Sequence, residues 1–568
     1  MLKTKIVSSQ QKAFIDDKID SFPTLTKISV LRGERLSIQL LYVDEGEEYM
    51  PKRPYCTLML SGKLAEGATV RDVRYVPVER PVHPDSYDSN YLRTEPGLYP
   101  DILTPLRYNG KFIISRDKLR SLWIELTIPV DIDGIFNLDV SILLESASVG
   151  ETGETAFERT EISRNTLEIE VIPATLPEQE LIFTQWFYAD GLAGYYDESA
   201  WSERHWRIVE EFIRVGAKRG RNMIYTPVLS PALNVLPPQE RIPTQLVEVT
   251  VTNGEYSFDF SRLGRWIDIC RSAGVKYYEI SHFYQQDQAL HSAHVYGTLD
   301  GKYGTLFGWD TLALDPEYVK FLRSLIPALL DYMRSLGLDH QCYFHISDEP
   351  TKNYIDHYKK VKENISDLLK GYTIMDALSE VEFYKSGAVE CPVPVTKKIE
   401  PFLEEQIENR WCYYAGFTTV DCANVLCAMP SWRGRSLAMQ MFKYDIKGLL
   451  HWGYNYYNNR ASGDVINPYL DLSGEDWVAA GDTFVVYPSH NGKAIESLRM
   501  ITYDEIITDY RAMRLAESLT SHQAVVDAME SALGDVITFR RCATSEAEIL
   551  AVRNAVNEII RVNLKNNS

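Results

Sequence analysis

Two adjacent acids, Asp348 and Glu349, follow a short apolar run and precede a proline in the segment YFHISDEP. Side chains alternate along an extended strand, so Glu349 is expected on the same face as His345, while Asp348 shares the apolar face with Ile346. Pro350 disfavours helical backbone at Glu349, which predicts an extended conformation there. Joint action of the two acids therefore requires the chain to twist or bulge at the strand end.

Neighbouring carboxylates suit only some kinds of acid–base chemistry. Glycosidases with two carboxylates hold them about 5–5.5 Å or about 6.5–9.5 Å apart, usually on different strands. Adjacent acids fit hydrolysis in which the sugar's own 2-acetamido oxygen attacks the anomeric carbon. One acid then orients and balances the acetamide nitrogen, and the other protonates the leaving oxygen. Close carboxylates also push their pKa values apart, which leaves one ionised and one protonated near neutral pH.

The alternative interpretation of the acid pair is purely structural. In that case the Asp caps the next helix and the Glu is solvated.

The aromatic residues favour a sugar ligand, because nine of the ten tryptophans, all but Trp123, lie between Trp186 and Trp477. Flat rings with a polar edge hold the apolar face of a pyranose, although each ring singly is as often a core residue. The candidate substrate-binding residues are Trp186, His282, Trp309, His345, Tyr413, Tyr414, His451, Trp452, Tyr454 and Asn455.

Metal chemistry and a serine nucleophile are not favoured by the sequence. His282, His345 and His451 could ligate a metal together with Asp348, but a metal site needs three or four convergent ligands, and no His-Glu-x-x-His motif occurs. No Gly-x-Ser-x-Gly elbow is present either. We therefore expect no metal and no cofactor.

Eight apolar runs alternate with amphipathic stretches in the middle of the chain and are interpreted as parallel strands. They begin at Leu181, Asn222, Lys276, Cys342, Tyr372, Glu390, Arg410 and Leu449. This pattern predicts a closed (β/α)8 TIM-type barrel, in which the carboxyl ends of the strands face the active-site mouth. An open doubly wound sheet is the alternative, but no glycine-rich phosphate loop follows the first strand.

The flanking regions have different patterns. Short alternating apolar runs between residues 28 and 172 predict an antiparallel β-sandwich, and two prolines in IPATLPEQE mark its end. A short β-like piece, DTFVVYPS, and helical stretches after Ser462 predict a C-terminal helical cap packed on the barrel. The predicted fold class is multidomain β plus α/β, with an N-terminal β-sandwich over residues 1–178, the barrel over 179–460 and the cap over 461–568.

The composition limits the partners of the 568-residue chain. Its 59 Lys and Arg against 79 Asp and Glu give a net charge of −20, which disfavours nucleic acid and anionic membranes. No run of 18 apolar residues and no signal-peptide pattern occur in the sequence, so we expect a soluble, cytoplasmic protein. The eight cysteines lack metal-site spacing and are expected to be reduced and buried. A homo-oligomer remains open.

Three segments resemble glycoside hydrolase family 123. They are FHISDEP at residues 344–350, PSWRGRSLAMQMFKYDIKGLLHWGYNYYN at 430–458 and SLRMITYDEIITDYRAM at 497–513, within a resemblance that spans about residues 181–519. The known members are β-N-acetylgalactosaminidases. The resemblance implies an exo-acting, retaining, substrate-assisted enzyme, in which the position matching Asp348 stabilises the acetamido group and that matching Glu349 is the acid/base. The expected substrate is a glycoside or oligosaccharide that ends in a β-linked N-acetylhexosamine.

Two other functions stay open at this point. A two-carboxylate glycosidase acting on sugars without an acetamido group would need a partner acid on another strand, for example Glu279. A carbohydrate-binding relative without turnover would keep the aromatic cleft. Turnover of aryl glycosides with and without the acetamido group distinguishes these functions.

Overall fold

The structure is a computed structural model that describes residues 2–46, 55–149 and 155–567. The first part of the chain is rich in β-strands. In chain order these are β1 (Leu2–Ser8), β2 (Lys27–Arg32), β3 (Arg35–Asp44), β4 (Tyr55–Ser61), β5 (Thr69–Val78), β6 (Gly97–Pro105), β7 (Lys111–Ile113), β8 (Arg120–Thr127), β9 (Gly134–Val149) and β10 (Thr155–Thr175). They form two five-stranded sheets, ordered β1-β3-β8-β5-β6 and β2-β10-β9-β4-β7.

Apolar side chains from both sheets share one core. Ile38 of β3, Ile124 of β8 and Ile142 of β9 are fully buried in it. The pairing is antiparallel except between β2 and β10, which run parallel. The prediction of a purely antiparallel region is therefore wrong at this pair, because strands so far apart in sequence need no tight turn between them and can pair in either direction.

The second part of the chain contains a nearly closed parallel barrel. The strands that follow β10 are β11 (Ile182–Gln185), β12 (Met223–Thr226), β13 (Glu248–Thr252), β14 (Glu255–Asp259), β15 (Tyr277–Ile280), β16 (Val295–Leu299), β17 (Lys302–Phe307), β18 (Cys342–Phe344), β19 (Thr373–Leu378), β20 (Cys391–Pro394), β21 (Trp411–Tyr414), β22 (Gly448–His451), β23 (Val486–Pro488) and β24 (Ala494–Glu496). Eight of them form one sheet in the order β20-β19-β18-β15-β12-β11-β22-β21. A parallel bridge between Val395 and Tyr413 joins its two end strands.

All eight predicted barrel strands are confirmed, and each is shorter than the apolar run that predicted it. The helices of the described residues are α1 (Arg107–Gly110), α2 (Ala189–Tyr196), α3 (Glu203–Lys218), α4 (Ser261–Ala273), α5 (Pro316–Ser335), α6 (Ile355–Glu363), α7 (Glu382–Lys385), α8 (Glu400–Leu403), α9 (Ser431–Arg435), α10 (Leu437–Lys443), α11 (Leu498–Leu519), α12 (His522–Leu533) and α13 (Glu546–Asn567). None of them combines the length and apolar composition needed to cross a bilayer. All eight cysteines are free and buried.

The C-terminal helices contact both parts of the chain. Helix α11 packs against α9 and α10 beside the barrel and also contacts β6 of the first part. Helix α13 lies against β10 and β2, where Arg561 pairs with Glu170 at 2.9 Å and Arg553 pairs with Glu34. The expectation of helices packed on the barrel alone is therefore incomplete, since α13 also covers the two-sheet region.

A buried arginine joins the three parts of the chain. Arg219, directly after α3, is fully buried and donates hydrogen bonds to Glu125 of β8 at 2.7 Å, to Asp504 of α11 at 2.9 Å and to Glu496 of β24. Burial would raise the pKa of Glu496, but Arg219 and Arg71 lower it to about 2. This cluster holds the two sheets, the barrel and α11 in one arrangement.

We predict that Arg219→Ala lowers the free energy of unfolding by about 3–5 kcal/mol, because it removes a cation that three buried carboxylates share and leaves them with Arg35 and Arg71. Arg214→Ala is the matched control, since Arg214 lies in the last turns of α3 and forms an exposed pair with Glu210. That variant should lose less than about 1 kcal/mol. Urea denaturation of both variants tests this, and equal losses would contradict it.

Candidate active site

A pocket of about 220 Å³ opens at the carboxyl ends of the barrel strands. Its lining consists of Trp186, Asn234, Gln286, Asp348, Glu349, Ala377, Tyr413, Ala415, Phe417, Leu450, Trp452, Trp477, Val478 and Asp482. The volume lies below the range of about 300–1,000 Å³ typical of drug-sized ligands. The pocket therefore suits a ligand the size of a single sugar ring.

A larger cavity of about 850 Å³ lies elsewhere on the barrel, beside Thr373 and Cys391 at the amino ends of β19 and β20. Barrel enzymes carry out their chemistry at the carboxyl ends of the strands. The smaller pocket also holds both sequence-predicted acids, so it is the candidate active site.

Both acids of the sequence motif face this pocket because the backbone leaves the extended conformation before reaching them. Strand β18 ends at Phe344, and Glu349 adopts a left-handed conformation with φ 47°. Its N–H donates to the carbonyl oxygen of Ala377 on the neighbouring strand at 3.0 Å. The predicted extended conformation at Glu349 is therefore wrong. The bend that joint action of Asp348 and Glu349 required is present.

Each acid has one neutral donor from the pocket wall. Gln286 Nε2 donates to Asp348 Oδ2 at 2.5 Å, and the Tyr413 hydroxyl donates to Glu349 Oε1. Among the described residues Asp348 Oδ1 has no hydrogen-bond partner. This buried oxygen therefore has an acceptor capacity that the protein leaves unused.

Burial dominates the electrostatics of the pair. It raises the pKa of the Asp348 carboxyl well above its usual range, and the neighbouring charge of Glu349 raises it further, while His345 opposes the shift. Burial also raises the pKa of Glu349, partly opposed by the Tyr413 hydrogen bond and by Lys397 and Lys398. Two such carboxyls do not ionise together readily, so the pair retains a proton at pH values where ordinary acids have lost theirs.

A layer of buried charge lies beneath the pocket. His345 Nε2 donates to Glu279 at 2.8 Å and Nδ1 donates to Asp376 at 3.1 Å. Burial alone would lower the pKa of His345, but these two carboxylates raise it to about 9. Glu279 also accepts hydrogen bonds from Trp186 Nε1 at 2.7 Å and from the Thr184 hydroxyl at 2.5 Å. His345 is thus a buried cation that does not line the pocket, contrary to its predicted contact with substrate.

His282 belongs to the same layer and also lies outside the pocket lining. Its ring stacks on His345 with centroids 4.2 Å apart, and its Nδ1 is 3.2 Å from the Tyr225 hydroxyl. Burial and the charge of His345 lower the pKa of His282 well below its usual range. Ligand atoms of His282, His345 and Asp376 lie within 4.8 Å of one another. Both ring nitrogens of His345 have a carboxylate partner, so the contacts of this cluster are those of an ion pair.

The wall formed by β22 contributes an acid that the sequence did not reveal. Asp482 is almost fully buried, and its Oδ2 accepts from Trp452 Nε1 at 2.6 Å. The Trp452 ring lies 5.3 Å from that of Trp477, which also lines the pocket. Asp482 lies in an irregular segment without a strand or motif, so only the fold identifies it.

Three of the predicted substrate-binding residues lie in the core. The Tyr414 hydroxyl meets that of Tyr503, and the Tyr454 hydroxyl donates to Phe212 O at 2.7 Å. The Asn455 side chain pairs with the backbone of Tyr188 at 2.9 and 3.0 Å. These positions are wrong as sugar contacts, because their polar groups are hydrogen-bonded within the core and their side chains do not line the pocket.

Two further predicted contacts lie beside the pocket and do not line it. His451 Nε2 is 3.3 Å from Asp482 and so lies behind that acid. Trp309 Nε1 donates to Gln239 O at 2.9 Å, in a loop that lies outside the pocket lining. Of the predicted site residues, the structure brings together Trp186, Asp348, Glu349, Tyr413 and Trp452. Sequence reasoning missed Asn234, Gln286, Phe417, Trp477 and Asp482, which come from loops.

Comparison with known proteins gives one family and one fold. The model of the glycoside hydrolase 123 catalytic domain matches residues 186–516. A family 123 glycoside hydrolase from Clostridium perfringens, solved in a study of glycolipid glycan hydrolysis, is 14% identical with a TM-score of 0.73 and 100% of both chains covered. A putative β-galactosidase from Bacteroides fragilis is 8% identical with a TM-score of 0.30, covering 83% of this chain and 58% of its own.

No curated protein matches this sequence. The family model covers more than half of the chain, and the pocket with its acid pair lies at the carboxyl ends of the strands inside that match. The chain belongs to glycoside hydrolase family 123 and is a glycosidase that acts on carbohydrate substrates.

Proposed function

We propose that this enzyme is an exo-acting, retaining β-N-acetylgalactosaminidase or β-N-acetylhexosaminidase whose nucleophile is the substrate's own 2-acetamido oxygen. Asp348 orients and stabilises the acetamido group, and Glu349 is the acid/base. The observation that carries the proposal is the adjacent acid pair on one wall of a pocket sized for one sugar ring. A pocket of that size favours removal of a terminal sugar.

The proposed roles need the proton of the pair to move to Glu349 when the substrate binds. In the protein alone, burial and the charge of Glu349 raise the pKa of Asp348 well above its usual range, and the buried cation His345 opposes this rise. An ionised Asp348 accepts the acetamide N–H of the substrate at Oδ1, which has no other hydrogen-bond partner among the described residues. Since that hydrogen bond requires an ionised Asp348, the proton of the pair resides on Glu349 when substrate is bound.

The reaction then proceeds in two steps. The acetamido oxygen attacks C1 while Glu349 gives its proton to the leaving oxygen, which forms an oxazolinium ring and releases the aglycone. Asp348 balances the positive charge that grows on the ring nitrogen. In the second step the Glu349 carboxylate takes a proton from water, and the resulting oxygen nucleophile opens the ring at C1. Two inversions at C1 leave the configuration retained.

The environment of Glu279 argues against the two-carboxylate alternative considered for it. Glu279 is fully buried, accepts hydrogen bonds from three side chains and does not line the pocket. A nucleophile needs an exposed oxygen within reach of C1. Glu279 is better explained as the residue that positions Trp186 and His345.

We also propose the finer architecture expected from the sequence. The nearly closed eight-stranded sheet is assigned as a (β/α)8 TIM-type catalytic barrel over residues 179–460. The two-sheet region to residue 178 precedes it, and the helices after residue 460 follow as a cap that reaches both.

We predict that Glu349→Gln lowers turnover about 10²–10⁴-fold for a substrate with a poor leaving group, the usual contribution of general acid catalysis. A nitrophenyl glycoside should lose less, because nitrophenolate departs with little help. Glu363→Gln, at an exposed glutamate that ends α6, is the control and should leave both rates intact. Equal losses with both leaving groups would exclude Glu349 as the acid.

We predict that Asp348→Asn lowers turnover of aryl N-acetylhexosaminides about 10²–10³-fold, because a neutral amide cannot balance the charge of the oxazolinium. Wild-type enzyme should hydrolyse the matching aryl glycosides without the acetamido group far more slowly. Exposed Asp356→Asn serves as the control. Equal wild-type rates with and without the acetamido group would refute neighbouring-group participation.

We predict that Tyr413→Phe moves the basic limb of the pH–rate profile to higher pH. The Tyr413 hydroxyl donates to the Glu349 carboxylate and lowers its pKa, so removing this donor raises that pKa. A general acid with a higher pKa keeps its proton, and hence its activity, to higher pH. Tyr414→Phe, whose hydroxyl meets Tyr503 outside the pocket, should not move the limb. A shift to lower pH would contradict the assignment.

A further inference from the structure

Asp482 faces the acid pair across the barrel. In the barrel sheet, β15, β12 and β11 separate β18 from β22 on one side, and β19, β20 and β21 separate them on the other. The acids follow β18, and Asp482 is held by Trp452 and His451 at the end of β22. The two carboxylate sites therefore stand on opposite walls of one pocket.

The hydrogen bonds of Asp482 hold it as an acceptor. His451 Nδ1 accepts the backbone N–H of Gly453 at 3.2 Å, so in the neutral ring the proton lies on Nε2, which donates to Asp482 Oδ1. Trp452 Nε1 can only donate, and it binds Oδ2. Both oxygens thus receive one N–H each, and each keeps a further lone pair. A carboxylate prepared in this way accepts hydroxyl protons.

We infer that Asp482 binds the C4 hydroxyl of the sugar in the pocket. The inference rests on the proposed function, which places C1 beside Glu349. In a six-membered ring C4 is the atom farthest from C1, so its hydroxyl points toward the wall opposite the acids. Trp452, fixed by the same carboxylate, lies at that end of the ring.

This assignment also explains why the enzyme would remove terminal sugars. Asp482 is almost fully buried and lies among Trp452, Trp477 and Val478. A sugar whose C4 oxygen is bound there has no space for a further residue linked at that oxygen. Chain extension is possible only at C1, on the side of Glu349.

Kinetics with two modified sugars test the inference. The substrates are the aryl β-N-acetylhexosaminide that the enzyme cleaves best, its 4-deoxy analogue and its analogue without the 2-acetamido group. For wild-type enzyme, removing the C4 hydroxyl should lower kcat/KM about 10- to 100-fold, the usual value of a hydrogen bond to a charged group. Asp482→Asn should lower kcat/KM for the parent sugar by about the same factor. For the 4-deoxy sugar, which lacks this contact, the variant and the wild type should have nearly equal kcat/KM.

Asp476→Asn is the matched control, an exposed acid in the same segment, and should leave all ratios unchanged. Thermal unfolding of Asp482→Asn shows whether that variant folds, and the wild-type comparison of the two sugars tests the contact without any substitution. An equal loss for Asp482→Asn on both sugars, or no wild-type effect of the C4 hydroxyl, would overturn the inference. A covalent sugar trapped on Asp482 would also overturn it, by making this acid the nucleophile.

The same panel separates this inference from the proposed function. Loss of the acetamido group tests Asp348, and loss of the C4 hydroxyl tests Asp482, at opposite ends of one ring. Rates that are independent of the acetamido group but depend on the C4 hydroxyl through Asp482 would refute the proposed mechanism and support the inference. Rates that depend on the acetamido group but not on the C4 hydroxyl would support the mechanism and refute the inference. Absence of turnover with every sugar would refute both.

Discussion

The active site depends on a backbone conformation that most residues avoid. Two adjacent side chains on a strand point in opposite directions, so Asp348 and Glu349 can face one pocket only if the chain bends between them. The bend is the left-handed conformation of Glu349, which costs a non-glycine residue about 1–3 kcal/mol. Hydrogen bonds from the Glu349 N–H to Ala377 and from the Ser347 hydroxyl to Gln285 O, 3.0 and 2.8 Å long, hold it in place. Strand β19 and the loop after β15 thus stabilise the strained geometry of the acids.

Beneath this bend, one buried cation organises the electrostatics. Protonated His345 lies between Glu279 and Asp376, and through Glu279 it is connected to the indole of Trp186 at the pocket wall. A buried charge of this kind is stable only when it is paired and fully hydrogen-bonded. Burial and the charge of Glu349 raise the pKa of Asp348 well above its usual range, and protonated His345 is the nearby group that opposes this rise. The buried cation therefore limits the cost of ionising Asp348.

The sequence predicts the scaffold better than the pocket. The eight barrel strands and the acid pair follow from local patterns. Short apolar runs that alternate with amphipathic stretches indicate the strands of an α/β chain. The left-handed conformation of Glu349 does not follow from a local pattern, because Pro350 disfavours only helical backbone at the preceding residue and allows other bends there. Tyr454 and Asn455 share the local pattern of Trp452, yet their side chains enter the core. Asp482 and Gln286 come from irregular segments, so only the folded barrel brings them to the acids.

The most direct test is a crystal structure of the wild-type enzyme with a thiazoline derived from the preferred N-acetylhexosamine, a ligand that mimics the oxazolinium intermediate. The ring nitrogen of the thiazoline should lie within hydrogen-bond distance of Asp348, C1 should lie beside Glu349, and the C4 hydroxyl should reach Asp482. A thiazoline bound with its fused ring away from Asp348, or a sugar bonded covalently to any carboxylate, would contradict substrate-assisted catalysis by this acid pair.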